Sequence, residues 1–155
     1  MPANYNYSGQ TVISGTKQAM ELAKKDLQQK GAKKLVTLKT SGPFHTEKLN
    51  KAKEKFAIEL QKISFEKGTI PVIKNIDGDC YKQTDNMKEI LENHMVNPIR
   101  FDKAIMNMQE YGVDTYIEVG PGKALSGFVK KENKEAKVMN ICDIPTLTQV
   151  LEILK

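Results

Sequence analysis

Apolar residues return along this chain in two alternating rhythms. Gln10 to Ser14 (Q-T-V-I-S) reads as a short strand closed by Gly15. Ala19, Leu22, Ala23 and Leu27 then recur at three and four residues, which predicts a helix from an N-cap at Thr16 to about Lys30, with Gly31 as its stop. Lys34 to Leu38 follows as a strand, giving a β-α-β unit. Beyond the Gly42-Pro43 turn, Leu49, Ala52, Phe56, Leu60 and Ile63 form one apolar stripe, so a helix is expected from Thr46 to about Ser64. Pro71 to Ile76 reads as a strand ending in the turn Asp77-Gly78-Asp79. Met87, Ile90, Leu91 and Met95 mark another helix, stopped at Asn97-Pro98 because a proline disfavours helix in the residue before it. Phe101, Ile105 and Met108 mark a helix ending near Tyr111-Gly112. Thr115 to Val119 is a strand, Ala124 to Lys131 a helix, Lys137 to Asn140 a strand and Pro145 to Leu154 a helix. This alternation predicts an α/β fold with a parallel sheet covered on both faces.

The 155 residues suit one domain or a piece of a larger one. No apolar run approaches the roughly 20 residues of a membrane span, and the first ten residues lack a signal-peptide core, so no membrane association and a cytoplasmic location are expected. Cys80 and Cys142 are far apart and neither is in a C-x-x-C pair; no disulfide framework or metal site is expected. The net charge of +5 comes almost wholly from lysine, Arg100 being the single arginine. Nucleic-acid recognition favours arginine's forked donors, so no nucleic-acid partner is expected. The lysines alternate with acids, as in Lys53-Glu54-Lys55, and read as solvated helix faces or as a surface for an acidic partner.

His45 lies between a turn and a helix start, where α/β folds collect reactive side chains. It is either a general base or a loop histidine capping the backbone. The nearby helix N-terminus favours the neutral imidazole that a base requires. A base needs a nucleophile, and none of Ser8, Ser14, Ser41, Ser64 and Ser126 stands in a Gly-x-Ser-x-Gly elbow. Gly120-Pro121-Gly122 sits between strand and helix but lacks the phosphate-loop pattern and reads as a tight turn. His94, at the edge of the Ile90 and Leu91 face, reads as a packing or surface histidine.

Four segments, Asn6 to Gly15, Ser41-Gly42-Pro43-Phe44-His45, Asn97-Pro98-Ile99-Arg100-Phe101 and Glu118-Val119-Gly120-Pro121-Gly122-Lys123, resemble in order the landmarks of the malonyl-CoA:acyl carrier protein transacylases. The resemblance runs from about Asn4 to Lys155 and corresponds to the C-terminal half of that family. It implies a partial α/β-hydrolase-like core over residues 41–155, preceded by the second half of a small ferredoxin-like subdomain over residues 1–40. The nucleophilic serine, the carboxylate-binding arginine and the oxyanion donors would then lie on an N-terminal half outside this chain.

By the same resemblance, His45 is the general base and the backbone carbonyl of Arg100 orients its ring. Asn4 and Asn6 are candidate substrate contacts. Ser8 stands where the family's first motif often has proline. The substrates would be malonyl-CoA and the phosphopantetheine thiol of an acyl carrier protein, with no bound cofactor, and the pathway fatty acid biosynthesis. Partners would be the acyl carrier protein and the N-terminal half of the transacylase, without which the chain is expected to be inactive. The carrier is typically acidic, which points to Lys17, Lys24 and Lys25 as docking residues. The alternative from another class is a noncatalytic basic α/β module that docks an acidic protein.

Overall fold

A computed structural model describes residues 1–40, 42–66 and 68–155. It is a mixed α/β structure. Strand β1 (Pro2–Tyr7) turns back at Ser8-Gly9 into the antiparallel strand β2 (Gln10–Ile13), and its other edge pairs in parallel with the two-residue strand β3 (Ile99–Arg100). A separate parallel pair is formed by β4 (Thr115–Val119) and β5 (Lys137–Ile141), in register from Thr115 against Lys137 to Val119 against Ile141. The single parallel sheet expected from the alternation is therefore replaced, among the described residues, by two small sheets, the first of them mixed.

The helices follow the periodicity closely. Helix α1 (Lys17–Gln29) starts where the Thr16 hydroxyl accepts the Ala19 N–H at 3.2 Å and ends before Gly31, whose φ of 88° closes the last turn. None of its residues is buried. A short 3-10 turn, Glu47–Leu49, leads into α2 (Asn50–Gln61). Helices α3 (Met87–His94), α4 (Phe101–Glu110), α5 (Ala124–Glu132) and α6 (Ile144–Ile153) complete the chain. Helix α6 opens with a capping box in which Asp143 and Thr146 each satisfy the other's backbone N–H, and Pro145 occupies the first turn, where its missing donor costs nothing.

Two expected strands are absent. Lys34 to Leu38 has no ladder partner among the described residues, and Val36 and Leu38 are 64% and 54% exposed. Residues 71–76 make only the isolated bridge of Ile73 with Cys80. β-Branched content gives a segment extended backbone, but a strand exists only where another edge accepts its hydrogen bonds. The 71–76 segment is held instead by Lys74, a 7% exposed lysine whose ammonium reaches Asp77 at 3.0 Å and Asp85 at 3.3 Å. Gly78 sits at the tip of its turn with φ 79°, so close to α4 that a Cβ would lie 2.6 Å from the Ala104 nitrogen. The helix expected from Thr46 to about Ser64 is shorter at both ends: Thr46 turns its hydroxyl back onto the Pro43 carbonyl at 2.6 Å and caps nothing.

Strand β1, with its polar sequence Pro-Ala-Asn-Tyr-Asn-Tyr, was not expected; it exists because both of its edges find partners. The pairing of β1 with β3 places residues on either side of Thr40 in one sheet. The main core gathers Ile105 of α4, Val129 of α5 and Ala136, with Phe101, Met108, Tyr116, Phe128 and Val138 packed around them. Tyr7 joins this core through the Phe128 ring at 5.9 Å, and the Ser8 N–H donates to Glu132 at 2.7 Å, so the β1-β2 hairpin is tied to α5. These contacts anchor β3, and with it the Asn97-Pro98 bend that ends α3.

Candidate active site

His45 is the only described residue other than glycine with a positive φ, 57°. Left-handed backbone costs a side-chain-bearing residue about 1–2 kcal/mol, and such strain persists only where neighbouring contacts over-determine it. Two contacts do so here. On its C-terminal side, the buried Thr46 locks the bend through Pro43. On the ring side, His45 Nδ1 lies 3.1 Å from the backbone carbonyl of His94, at the end of α3.

That carbonyl is available for a reason written in the sequence. The last carbonyls of a helix lack intrahelical donors, and the residue four places beyond His94 is Pro98, which has no N–H to give. A carbonyl only accepts, so Nδ1 carries the proton and donates it to His94, which leaves Nε2 with its lone pair outward. This is the tautomer of a general base. The carbonyl that Nδ1 meets here is that of His94, six residues before Arg100, whose carbonyl was expected in this position. The missed signal was the proline offset: a helix that ends before a proline frees the carbonyl four residues upstream.

His94 contributes more than its backbone. Its ring stacks on that of His45, with centroids 5.2 Å apart and planes inclined by 26°. Its Nε2 is buried without a partner. Burial first, and then the charge of His45, holds the His94 imidazole below its ordinary proton affinity, so it stays neutral. Of the two readings expected for His94, packing or surface, the structure shows packing, and the surface it packs on is the His45 ring. Helix α3 is fixed against α2 by Lys53, whose ammonium donates to the Asn93 side chain at 2.7 Å, while the Asn97 amide caps the Asn93 carbonyl at 2.8 Å.

Arg100 has a structural occupation. Its guanidinium donates twice to Asp102, at 2.9 and 2.8 Å, and lies 4.6 Å over the Tyr5 ring. Its backbone N–H donates to Asn75 at 2.7 Å. Tyr5, Arg100, Asn93, Asn97, Pro98 and Asp77, with Ile76, line an open cleft of about 540 Å³ beside the end of α3. Asn4 and Asn6 flank Tyr5 in β1 but do not line this cleft. Asn4 sits opposite Val12 and Ile99, and the Asn6 amide donates to Gln10 at 2.8 Å.

After the Gly120-Pro121-Gly122 turn, the Glu118 carboxylate already accepts two free N–H groups in the first turn of α5, those of Leu125 and Ser126, where an anion would otherwise bind. Among the described residues no cluster of three or more His, Cys, Asp or Glu side chains could hold a metal, and Cys80 and Cys142 are free thiols. No helix among them is long and apolar enough to cross a membrane.

Known proteins resemble this chain in sequence and fold. The chain is 39% identical over 153 residues to the malonyl CoA-acyl carrier protein transacylase of Bacillus subtilis, covering 99% of the chain and 48% of that protein. It is 38% identical over 130 residues to the enzyme of the same name from Escherichia coli K12, covering 84% of the chain and 42% of that protein. Among solved structures, the Clostridium perfringens malonyl CoA-acyl carrier protein transacylase superposes with a TM-score of 0.93 at 43% identity, over 99% of the chain and 48% of that structure. A malonyl-transacylase solved in complex with a type II polyketide acyl-carrier protein superposes with a TM-score of 0.92 at 31% identity, over 98% of the chain and 49% of that structure. The chain thus spans about half the length of the curated relatives it matches. Residues 1–149 match the acyl transferase domain, and the chain belongs to that family.

Proposed function

We propose that this chain supplies the histidine of a malonyl-CoA:acyl carrier protein transacylase site whose serine lies on sequence outside it. The supporting observation is the Nδ1 contact with the His94 carbonyl, which leaves Nε2 as a proton acceptor. In this reading Nε2 takes the proton of the serine hydroxyl as its oxygen attacks the malonyl thioester. The carbon–sulfur bond then breaks, and the coenzyme A thiolate leaves with that proton. Nε2 next takes the proton of the carrier's phosphopantetheine thiol, whose sulfur attacks the serine ester. The serine oxygen departs and is reprotonated, and malonyl is now on the carrier.

The chain's half-length match to its relatives fits a portion of a longer protein, as do the apolar side chains left uncovered at Ile70, Val119 and Ile144, which are 75–76% exposed; that this portion is the C-terminal one rests on the order of the four motifs. The same reading assigns residues 1–40 to the second half of a small ferredoxin-like subdomain and residues 41–155 to an α/β-hydrolase-like core. It keeps Asn4 and Asn6 as candidate substrate contacts, and it takes malonyl-CoA and the acyl carrier protein as partners in fatty acid biosynthesis.

The test mixes the chain with an N-terminal half carrying the serine elbow and follows malonyl transfer from coenzyme A to carrier protein. The wild-type pair should transfer, and His45→Ala should lower the rate by about 10²–10⁴-fold, the range for loss of a general base. Equal transfer by both would exclude His45 as the base. No transfer by the wild-type pair, with binding to carrier retained, would favour a noncatalytic docking module.

A further inference from the structure

The main-chain carbonyl of His94 fixes one nitrogen of His45, but one hydrogen bond does not fix a ring plane. The torsion that turns an imidazole joins tetrahedral to planar carbon and has broad wells, so a ring held only at Nδ1 is free to swing or flip. His45 also stands on a strained loop residue and is only partly buried, so its own surroundings add little restraint. The feature that adds it is the side chain of His94, whose ring lies over that of His45 at 5.2 Å and 26°.

We propose that the His94 imidazole is a positioning residue for His45, the stacked ring holding the His45 plane so that Nδ1–H stays on the His94 carbonyl and Nε2 points away as the acceptor. One residue thus restrains His45 twice, through its backbone and through its side chain. The geometry carries the positioning role, and only its catalytic consequence rests on the acyl-transfer reading.

Three features fit a positioning role better than plain packing. The His94 Nε2 is buried with no partner, a loss of about 1–3 kcal/mol that an apolar side chain would avoid. The ring is neutral, so its face accommodates His45 when that residue takes up a proton, whereas a second positive charge there would repel it. Lys53 of α2, which reaches α3, donates to Asn93 rather than to either imidazole.

The chain has only two histidines, which makes the test direct. Long-range proton–nitrogen NMR on the nitrogen-15-labelled chain resolves both rings and reports the tautomer of each. His45 is expected as the Nδ1–H tautomer in the wild type. His94→Phe, which keeps a planar ring and the carbonyl, should preserve it. His94→Ala, which keeps only the carbonyl, should shift the His45 tautomer ratio by about threefold or more, the equilibrium equivalent of an aromatic pair. Should His94→Ala fail to give a dispersed spectrum, His94→Leu, which fills the space without a plane, takes its place.

An unchanged ratio in the ringless variant, or a ratio lost equally in His94→Phe, overturns the proposal. With the complementing half, the ringless variant should lose kcat while KM for malonyl-CoA holds, and His94→Phe should restore kcat. A tautomer shift without transfer by the wild-type pair would leave positioning intact and sink the acyl-transfer reading.

Discussion

The Glu118 carboxylate accepts the backbone N–H of Ser126 at 2.7 Å and that of Leu125 at 3.2 Å, so a strand residue caps the helix that follows it in sequence. The negative group sits at the positive end of α5 and closes the Gly120-Pro121-Gly122 turn over it. Glu118→Ala is expected to cost about 1 kcal/mol, the usual loss of a cap, and Glu118→Gln less, because the amide oxygen still accepts. Denaturant unfolding of both variants checks this; equal stability of all three proteins would show that the cap contributes nothing.

The strained backbone of His45 predicts a trade of stability against activity. Glycine adopts φ 57° without the Cβ clash, so His45→Gly should be more stable than His45→Ala by about 1 kcal/mol. Both should be equally inactive with the complementing half. Urea midpoints compare the two folded variants, and a less stable His45→Gly would contradict the strain argument.

The neutral His94 gives stability a specific pH dependence. Burial and the His45 charge hold its folded affinity below the ordinary 6.5, so the unfolded chain binds more protons just under that value. The contribution is complete above pH 6.5 and is lost as pH falls below it through the folded value. Asp102, whose desolvation is outweighed by the hydrogen bonds and charges of Arg100 and Lys103, titrates in a separate window below the ordinary 3.8. Thermal unfolding should therefore weaken between pH 7 and pH 5 in the wild type and less so in His94→Phe. Identical slopes would contradict a buried neutral His94.

The exposed lysines of α1 predict an effect on one substrate alone. Lys17, Lys24 and Lys25 lie on a helix with no buried residue, and under the transacylase reading they dock the acidic carrier. Neutralising them together should raise the KM for carrier protein several-fold, more so at low salt, and leave that for malonyl-CoA unchanged. Equal effects on both substrates would exclude docking through α1.

The sequence by itself determined the helices, because 3.6-residue periodicity and local caps are short-range properties. Thr16, Gly31 and Pro98 set their boundaries without reference to the rest of the chain. It also singled out His45 and the four ordered motifs that carry the family resemblance. Strands were legible only where apolar content and a partner coincided, as in β4 and β5; among the described residues Lys34 to Leu38 has the composition without a ladder partner, 71–76 finds only one bridge, and β1 has the partners without the composition. The tertiary structure alone decided which carbonyl meets His45 and that His94 lies over it, because those contacts join residues 49 apart in sequence. Local pattern can place a histidine at a helix start and a free carbonyl at a helix end. Only the packing of α2 on α3 brings the two within hydrogen-bonding distance, and with that contact the His45 imidazole acquires its tautomer.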